Sequence, residues 1–181
     1  PEASAFFERE YRLDHTIHTY PKPIVCWGHG FVMGGGIGLM AGASHRVVTP
    51  RSRLAMPEIS IGLYPDVGGS WLLSRLPGKT GAFLALTAAH LNAADALFAG
   101  MADFLCPHEA HGALLAGIAA GSWQGDQARD GAQLSHLIES LGQGAERPAS
   151  PLRTHFDLIN ATIGHDSLND MAPRLAALPA D

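Results

Sequence analysis

From Phe6 to about Thr19 apolar and polar residues mix at helical spacing, with Phe6, Phe7, Tyr11, Leu13 and Ile17 set among Glu10 and Asp14, and Pro21 and Pro23 stop the pattern. This predicts an opening helix that ends in a turn. Ile24-Val25-Cys26-Trp27 is a short β-branched and apolar run bounded by proline and glycine, which predicts a buried strand. His29, Gly30 and the Gly34-Gly35-Gly36 cluster follow, and then Ile37 to Ala43, small and apolar enough for a buried helix packed close to a sheet. Arg46 to Thr49 and Ser52 to Ala55 predict two more strands about Pro50, with Met56-Pro57-Glu58 leading out of the second. Strands that alternate with helices in this way give a mixed α/β layer fold.

Further along, helices are expected over Val67 to Leu76, over Lys79 to Ala89 and over Ala93 to Phe98. Asp66 suits an N-cap or first-turn position for the first of these, and Pro77-Gly78 ends it. Asn92 is the expected N-cap of the third and Gly100 its stop, and Ala102 to Cys106 predicts a last strand. Beyond Pro107 the texture changes to His, Ala, Gly, Gln and Ser, with short helices expected over 109–120, 130–142 and 151–160 between Gly/Pro/Ser linkers. Gly144 to Ser150 reads as a mobile loop and Ala172 to Ala180 as a final amphipathic turn. Residues 1–107 are thus expected to form the core and residues 108–181 a helical appendage.

At 181 residues the chain can hold one domain with a substantial core, or that core and a small subdomain. Hydrophobic residues make up 46% and charged residues only 16%, so part of the apolar surface is expected to enter contacts between chains or domains. The net charge of −5 and the lack of any Lys/Arg cluster exclude a nucleic-acid partner, which needs a basic stripe to neutralise phosphates. An anionic small molecule remains open, because local arginines and helix N-termini bind phosphates on acidic proteins. Cys26 and Cys106 have no paired spacing, so neither a disulfide framework nor a zinc site is expected, and a reducing, cytoplasmic setting fits. No apolar run reaches membrane-spanning length, so no membrane partner is expected. The chain opens at Pro1 in mid-pattern and reads as the later portion of a longer one.

The glycine cluster is the first chemical clue. Glycines at a strand-to-helix junction free backbone amides to face an anionic oxygen at the positive end of a helix. Close packing of the helix on the sheet accounts for them equally well. A dinucleotide loop is the rival reading, since Gly28-x-Gly30-x-x-x-Gly34 roughly imitates its fingerprint, but the spacing is off by one and no acidic residue ends the next strand. No Gly-Lys-Ser/Thr follows for a phosphate loop, and no G-x-S-x-G serine motif is present. Glu58 and Asp66 lie eight residues apart among apolar and turn residues, where a poorly solvated carboxylate gains a raised pKa and can serve as base, acid or nucleophile. A turn-forming Glu58 and a capping Asp66 are the plain alternatives. The ten histidines show no two at metal-ligand spacing beside a third ligand, so no metal is expected.

Taken together, these stretches resemble the crotonase (enoyl-CoA hydratase/isomerase) superfamily from about Phe6 to Pro107. The resemblance implies a partial spiral of ββα turns with a helical C-terminal appendage, and an acyl-CoA substrate with no cofactor beyond the CoA it carries. The runs Phe6 to Tyr11, His29 to Gly38 and Met56 to Gly69 are most similar to the 3-hydroxyisobutyryl-CoA hydrolase branch. That likeness implies catalytic roles for Glu58 and Asp66, an oxyanion-hole amide at Gly35, and substrate contacts at Glu10, Gly34 and Gly36. A second oxyanion donor and the CoA contacts would lie upstream of this chain.

Hydratases of the superfamily carry a glutamate where this chain has Gly38, and usually glycine where Asp66 stands. Both departures favour thioester hydrolysis over water addition, which needs two acids. A hydratase or isomerase, and a non-catalytic CoA-binding or assembly protein, are the alternatives. The resemblance also implies a homo-oligomer, trimeric or hexameric.

Overall fold

A computed structural model describes residues 2–164 and 167–178. Helix α1 (Glu2–His18) is followed by strands β1 (Val25–Gly28) and β2 (Phe31–Met33) and by helix α2 (Gly35–Gly42). Strands β3 (His45–Val48) and β4 (Arg53–Ala55) come next, then a 3₁₀ turn at Glu58–Ile61 and helices α3 (Gly69–Leu73), α4 (Thr80–Thr87) and α5 (Ala93–Phe98). After β5 (Phe104–Leu105) the chain is helical, as α6 (Ala110–Ala120), α7 (Gln127–Gly142), α8 (Pro151–Thr154), α9 (Phe156–Ile163) and α10 (Leu168–Ala176).

Each strand pairs in parallel with its counterpart one turn later. β1 lies beside β3 with Trp27 opposite Val47, and β2 lies beside β4 with Val32 opposite Leu54. β5 adds to the far side of β3, giving the order β1-β3-β5. The strand pairs thus advance as a spiral of ββα turns, the expected fold. β3 is central and buried on both faces, and its successive residues feed opposite cores. Val48 joins Ile37, Met40, Leu54, Met56 and Leu72, whereas Val47 joins Cys106, Leu114, Leu134 and Ile138. Leu152, Ile159 and Ile163 of α8 and α9 enter the first of these cores, so the late helices close both faces of the sheet.

Several elements differ from the sequence pattern for physical reasons. β2 was not expected, because three residues between two glycines show no period; it forms by pairing with β4. α3 covers only Gly69–Leu73, since Val67 and Gly68 both have positive φ, 44° and 78°, which no right-handed helix includes. Asp66 therefore does not cap the helix; Gly68 occupies that position without a side-chain bond. The 151–160 pattern is broken at His155 into α8 and α9. The final helix lies at Leu168–Ala176, earlier than the 172–180 expected, and residues 179 and 180 lie outside the described residues.

Candidate active site

The site is built on the first turn of α2. Gly34 turns the chain out of β2 with φ 50°, and its N–H donates to the Ala55 carbonyl at 3.2 Å, tying the turn to β4. A helix cannot satisfy its own first amides. Among the described residues neither the Gly35 nor the Gly36 N–H reaches a backbone acceptor, which leaves both at the positive end of the helix. The Gly36 α-carbon faces Val32, whose Cγ1 lies 3.7 Å from where a Cβ would stand.

Helix α1 lies along α2 through a seam of glycines. Glu10 Oε1 occupies the space a Cβ on Gly35 would need. One turn on, Asp14 Oδ2 lies 3.2 Å from the Cβ position of Gly38, and then Ile17 Cγ2 lies 3.2 Å from that of Gly42. Side chains at 10, 14 and 17 share one helix face, and glycines at 35, 38 and 42 share the facing one. Gly38 is also closed off by Val67, whose Cβ is 2.6 Å from the same point.

Glu58 arrives from the other side, at the start of the 3₁₀ turn after β4. It is only 7% exposed, and its Oε1 lies 2.9 Å from the Cβ position of Gly34, so a larger residue there would have to displace this carboxylate and would be strained by the positive φ of 50°. Its Oε2 is buried without a hydrogen-bond partner. Burial pushes the Glu58 carboxyl above the usual range and the Asp66 charge adds to this, against an opposing hydrogen bond from its own backbone. Asp66 sits in the loop before α3 and accepts a hydrogen bond from the Tyr11 hydroxyl at 3.1 Å. Burial, and after it the Asp66 charge, likewise raises Glu10. Among the described residues no ion pair joins Glu10, Asp14, Glu58 or Asp66 to a cation.

The structure thus brings Glu10, Gly34, Gly35, Glu58 and Asp66 together, with the Gly36 amide beside them. It adds Tyr11 and Asp14, which the sequence pattern did not single out. Asp14 shares a helix face with Glu10, and Tyr11 with Asp14, a signal that has no meaning until the partner elements are known. His29 lies elsewhere, with its Nδ1 2.8 Å from Thr49 Oγ1 and its ring stacked on His108 at 3.7 Å. Among the described residues no three His, Cys, Asp or Glu side chains are placed to hold a metal ion, and no helix is long and apolar enough to cross a membrane.

Chemically, the arrangement offers two free amides at the start of α2 and, beside Gly34, a buried carboxylate with one uncommitted oxygen. Such a pair can hold a developing oxyanion and deliver or remove a proton beside it. Known proteins resemble this chain in sequence and in fold. The sequence pattern of the family described as Enoyl-CoA hydratase/isomerase matches residues 1–181. The mitochondrial 3-hydroxyisobutyryl-CoA hydrolase of Danio rerio is 49% identical over 107 residues, 59% of this chain and 28% of the relative. The Bos taurus protein of the same name is 36% identical over 170 residues, 93% of this chain and 43% of the relative. The solved structure of a carnitinyl-CoA dehydratase from Mycobacterium thermoresistibile superposes with a TM-score of 0.83 at 39% identity, over 99% of this chain and 49% of that one. The chain therefore spans less than half the length of each of these proteins.

Proposed function

The chain belongs to the enoyl-CoA hydratase/isomerase family, and on that footing we propose that it carries the catalytic groups of a CoA-thioester hydrolase of the 3-hydroxyisobutyryl-CoA hydrolase type. One observation carries the reading: Glu58, buried beside the first turn of α2 with Oε2 unpaired, is a carboxyl poised next to free amides. In the forward step Glu58 takes a proton from water as the water oxygen bonds to the acyl carbon. The carbonyl oxygen becomes the oxyanion held by the Gly35 N–H, and the CoA thiolate leaves as the tetrahedral adduct collapses. Asp66, steadied by Tyr11, orients the acyl hydroxyl, with Glu10 and the Gly34 and Gly36 backbone lining the acyl end. This chemistry calls for no cofactor beyond the CoA portion of the substrate.

The names of the relatives support the hydrolase reading, as does Gly38, which has no room for a second carboxylate on α2. Thiol release from 3-hydroxyisobutyryl-CoA and 3-hydroxypropionyl-CoA by the full-length protein tests it. The expected outcome is release that falls by at least ~100-fold in Glu58→Gln, the scale of removing a general base; release that survives the substitution refutes the assignment. A second reading, reversible hydration of an enoyl-CoA, is favoured by the extra buried acid Asp14 over Gly38. Loss of enoyl absorbance from crotonyl-CoA without thiol release would establish it instead.

A further inference from the structure

Asp66 stands in a loop that does not hold its carboxylate from within. Val67 and Gly68 both take positive φ, so Gly68 rather than Asp66 occupies the cap of α3. Among the described residues the carboxylate takes a hydrogen bond from one side chain, the Tyr11 hydroxyl, which donates to Oδ2 at 3.1 Å from a helix 55 residues earlier. Oδ1 makes none, and unlike Glu58 Oε2 and both Asp14 oxygens it is not sealed from solvent. The phenol is itself held in place. Its ring packs on Phe7, one helical turn back on α1, with centroids 5.9 Å apart, and it joins Gly38, Val67 and Gly68 in the wall of a cavity of about 380 Å³. Beyond the effect of burial on each, the Asp66 charge helps to raise Glu58 and Glu10, so this carboxylate belongs with the other acids of the site.

We propose that Tyr11 is a positioning residue that sets the substrate class of the site: by taking up Oδ2 of Asp66 it fixes Oδ1 as a single open acceptor, which selects acyl groups carrying a β-hydroxyl. A phenol at neutral pH has one proton to give and a carboxylate only accepts, so the pairing has one sense and leaves one oxygen to be satisfied. A hydroxyl on the acyl chain satisfies it. A plain acyl chain leaves water there, and an acyl chain with a β-carbonyl or a terminal carboxylate brings a second acceptor against the first. Without the phenol the carboxylate turns about its last torsion and the acceptor has no fixed direction. The inference deepens the thioester reading and rests on it for the reaction; the preference for a hydroxyl is measurable without turnover.

Tyr11→Phe removes the hydroxyl and keeps the ring on Phe7, and propionyl-CoA differs from 3-hydroxypropionyl-CoA only in lacking the hydroxyl. In thiol release by the full-length protein, wild type is expected to favour the hydroxylated thioester in kcat/KM. Tyr11→Phe is expected to lose about three- to tenfold of that preference, the size of one partly exposed hydrogen bond to a charged group. In an Asp66→Ala background the preference is expected to be lost already, and Tyr11→Phe to change the ratio no further. Equal losses on both thioesters in Tyr11→Phe would show that the phenol only holds the fold together. An unchanged ratio, or a wild type indifferent to the hydroxyl, likewise overturns the proposal. If wild type releases thiol from neither thioester, the hydrolase reading has failed. Equilibrium binding of the same two thioesters to full-length Glu58→Gln, with and without Tyr11→Phe, then still decides the role of Tyr11: a fall in the Kd ratio of the same size supports it, and an unchanged ratio overturns it.

Discussion

Gly38→Ala is the sharpest test of the packing at the site, because two opposing effects are both large there. Alanine in place of glycine inside a helix contributes about 1 kcal/mol of stability. At position 38, however, the new Cβ would stand 2.6 Å from Val67 Cβ and 3.2 Å from Asp14 Oδ2. The aspartate oxygen is the far end of a side chain and can yield by a few tenths of an ångström. Val67 Cβ is fixed to a backbone already held at φ 44°, a costly conformation for a β-branched residue. Overpacking against such an atom costs about 1–3 kcal/mol, so the net expectation is destabilisation by up to about 2 kcal/mol. Urea unfolding of the full-length protein, followed by tryptophan fluorescence, measures it.

The decisive comparison is the same substitution in a Val67→Gly background. Glycine relieves the positive φ and removes the obstructing Cβ together, so the cost of Gly38→Ala is expected to vanish and the helix gain to emerge. The coupling between the two sites is then about 1–3 kcal/mol. Equal costs of Gly38→Ala in both backgrounds would refute the account of why position 38 is glycine.

Asp66→Asn removes a negative charge that helps to raise Glu58 and Glu10, so both carboxyls are expected to titrate at lower pH in carbon NMR; no movement would mean Asp66 is electrically remote from them. Asp95, almost fully buried, accepts hydrogen bonds from Asn92 N–H, the Ser150 hydroxyl and Leu152 N–H, and Asp95→Ala is expected to cost about 2–4 kcal/mol in urea unfolding. Burial works to raise the Asp103 carboxyl, yet hydrogen bonds and charge from Arg46 hold it below its ordinary range. A depressed acid contributes stability that is full above its unfolded pKa and is lost as pH falls through its folded pKa. Asp103→Asn is accordingly expected to cost about 1 kcal/mol at neutral pH and almost nothing in strong acid, read by thermal unfolding at the two pH values.

Strands β1 and β3, with their valines, were legible in the sequence, as were β4 from its apolar run after Pro50 and the Asn92 cap, because each carries its own local signal. β2 was not, since Phe31-Val32-Met33 becomes a strand only through its partner. The N-cap or first-turn position that the sequence offered Asp66 goes to Gly68 for a related reason. Nothing in a valine announces a left-handed backbone, and it is Val67 and Gly68 together that delay α3 and release Asp66 to meet Tyr11. The motif residues Glu10, Gly35 and Glu58 could be grouped by resemblance. Asp14 and Tyr11 acquire significance only once the hollow face of α2 is seen.

The glycine seam between α1 and α2 makes the spacing of two helices a setting of the site. Glu10 is carried by α1, whereas the amides it stands beside belong to α2, and two turns away the space for a Cβ on Gly42 is closed by Ile17 and the backbone of His18. Whatever wedges the far end of that seam tilts α1 as a lever about its remaining contacts. The carboxyl at the near end would swing away from Gly35 while Glu58, anchored beyond β4, stayed where it was. The two acids of the site are thus independently mounted, and a disturbance well outside the pocket can misalign one against the other with every site residue still present.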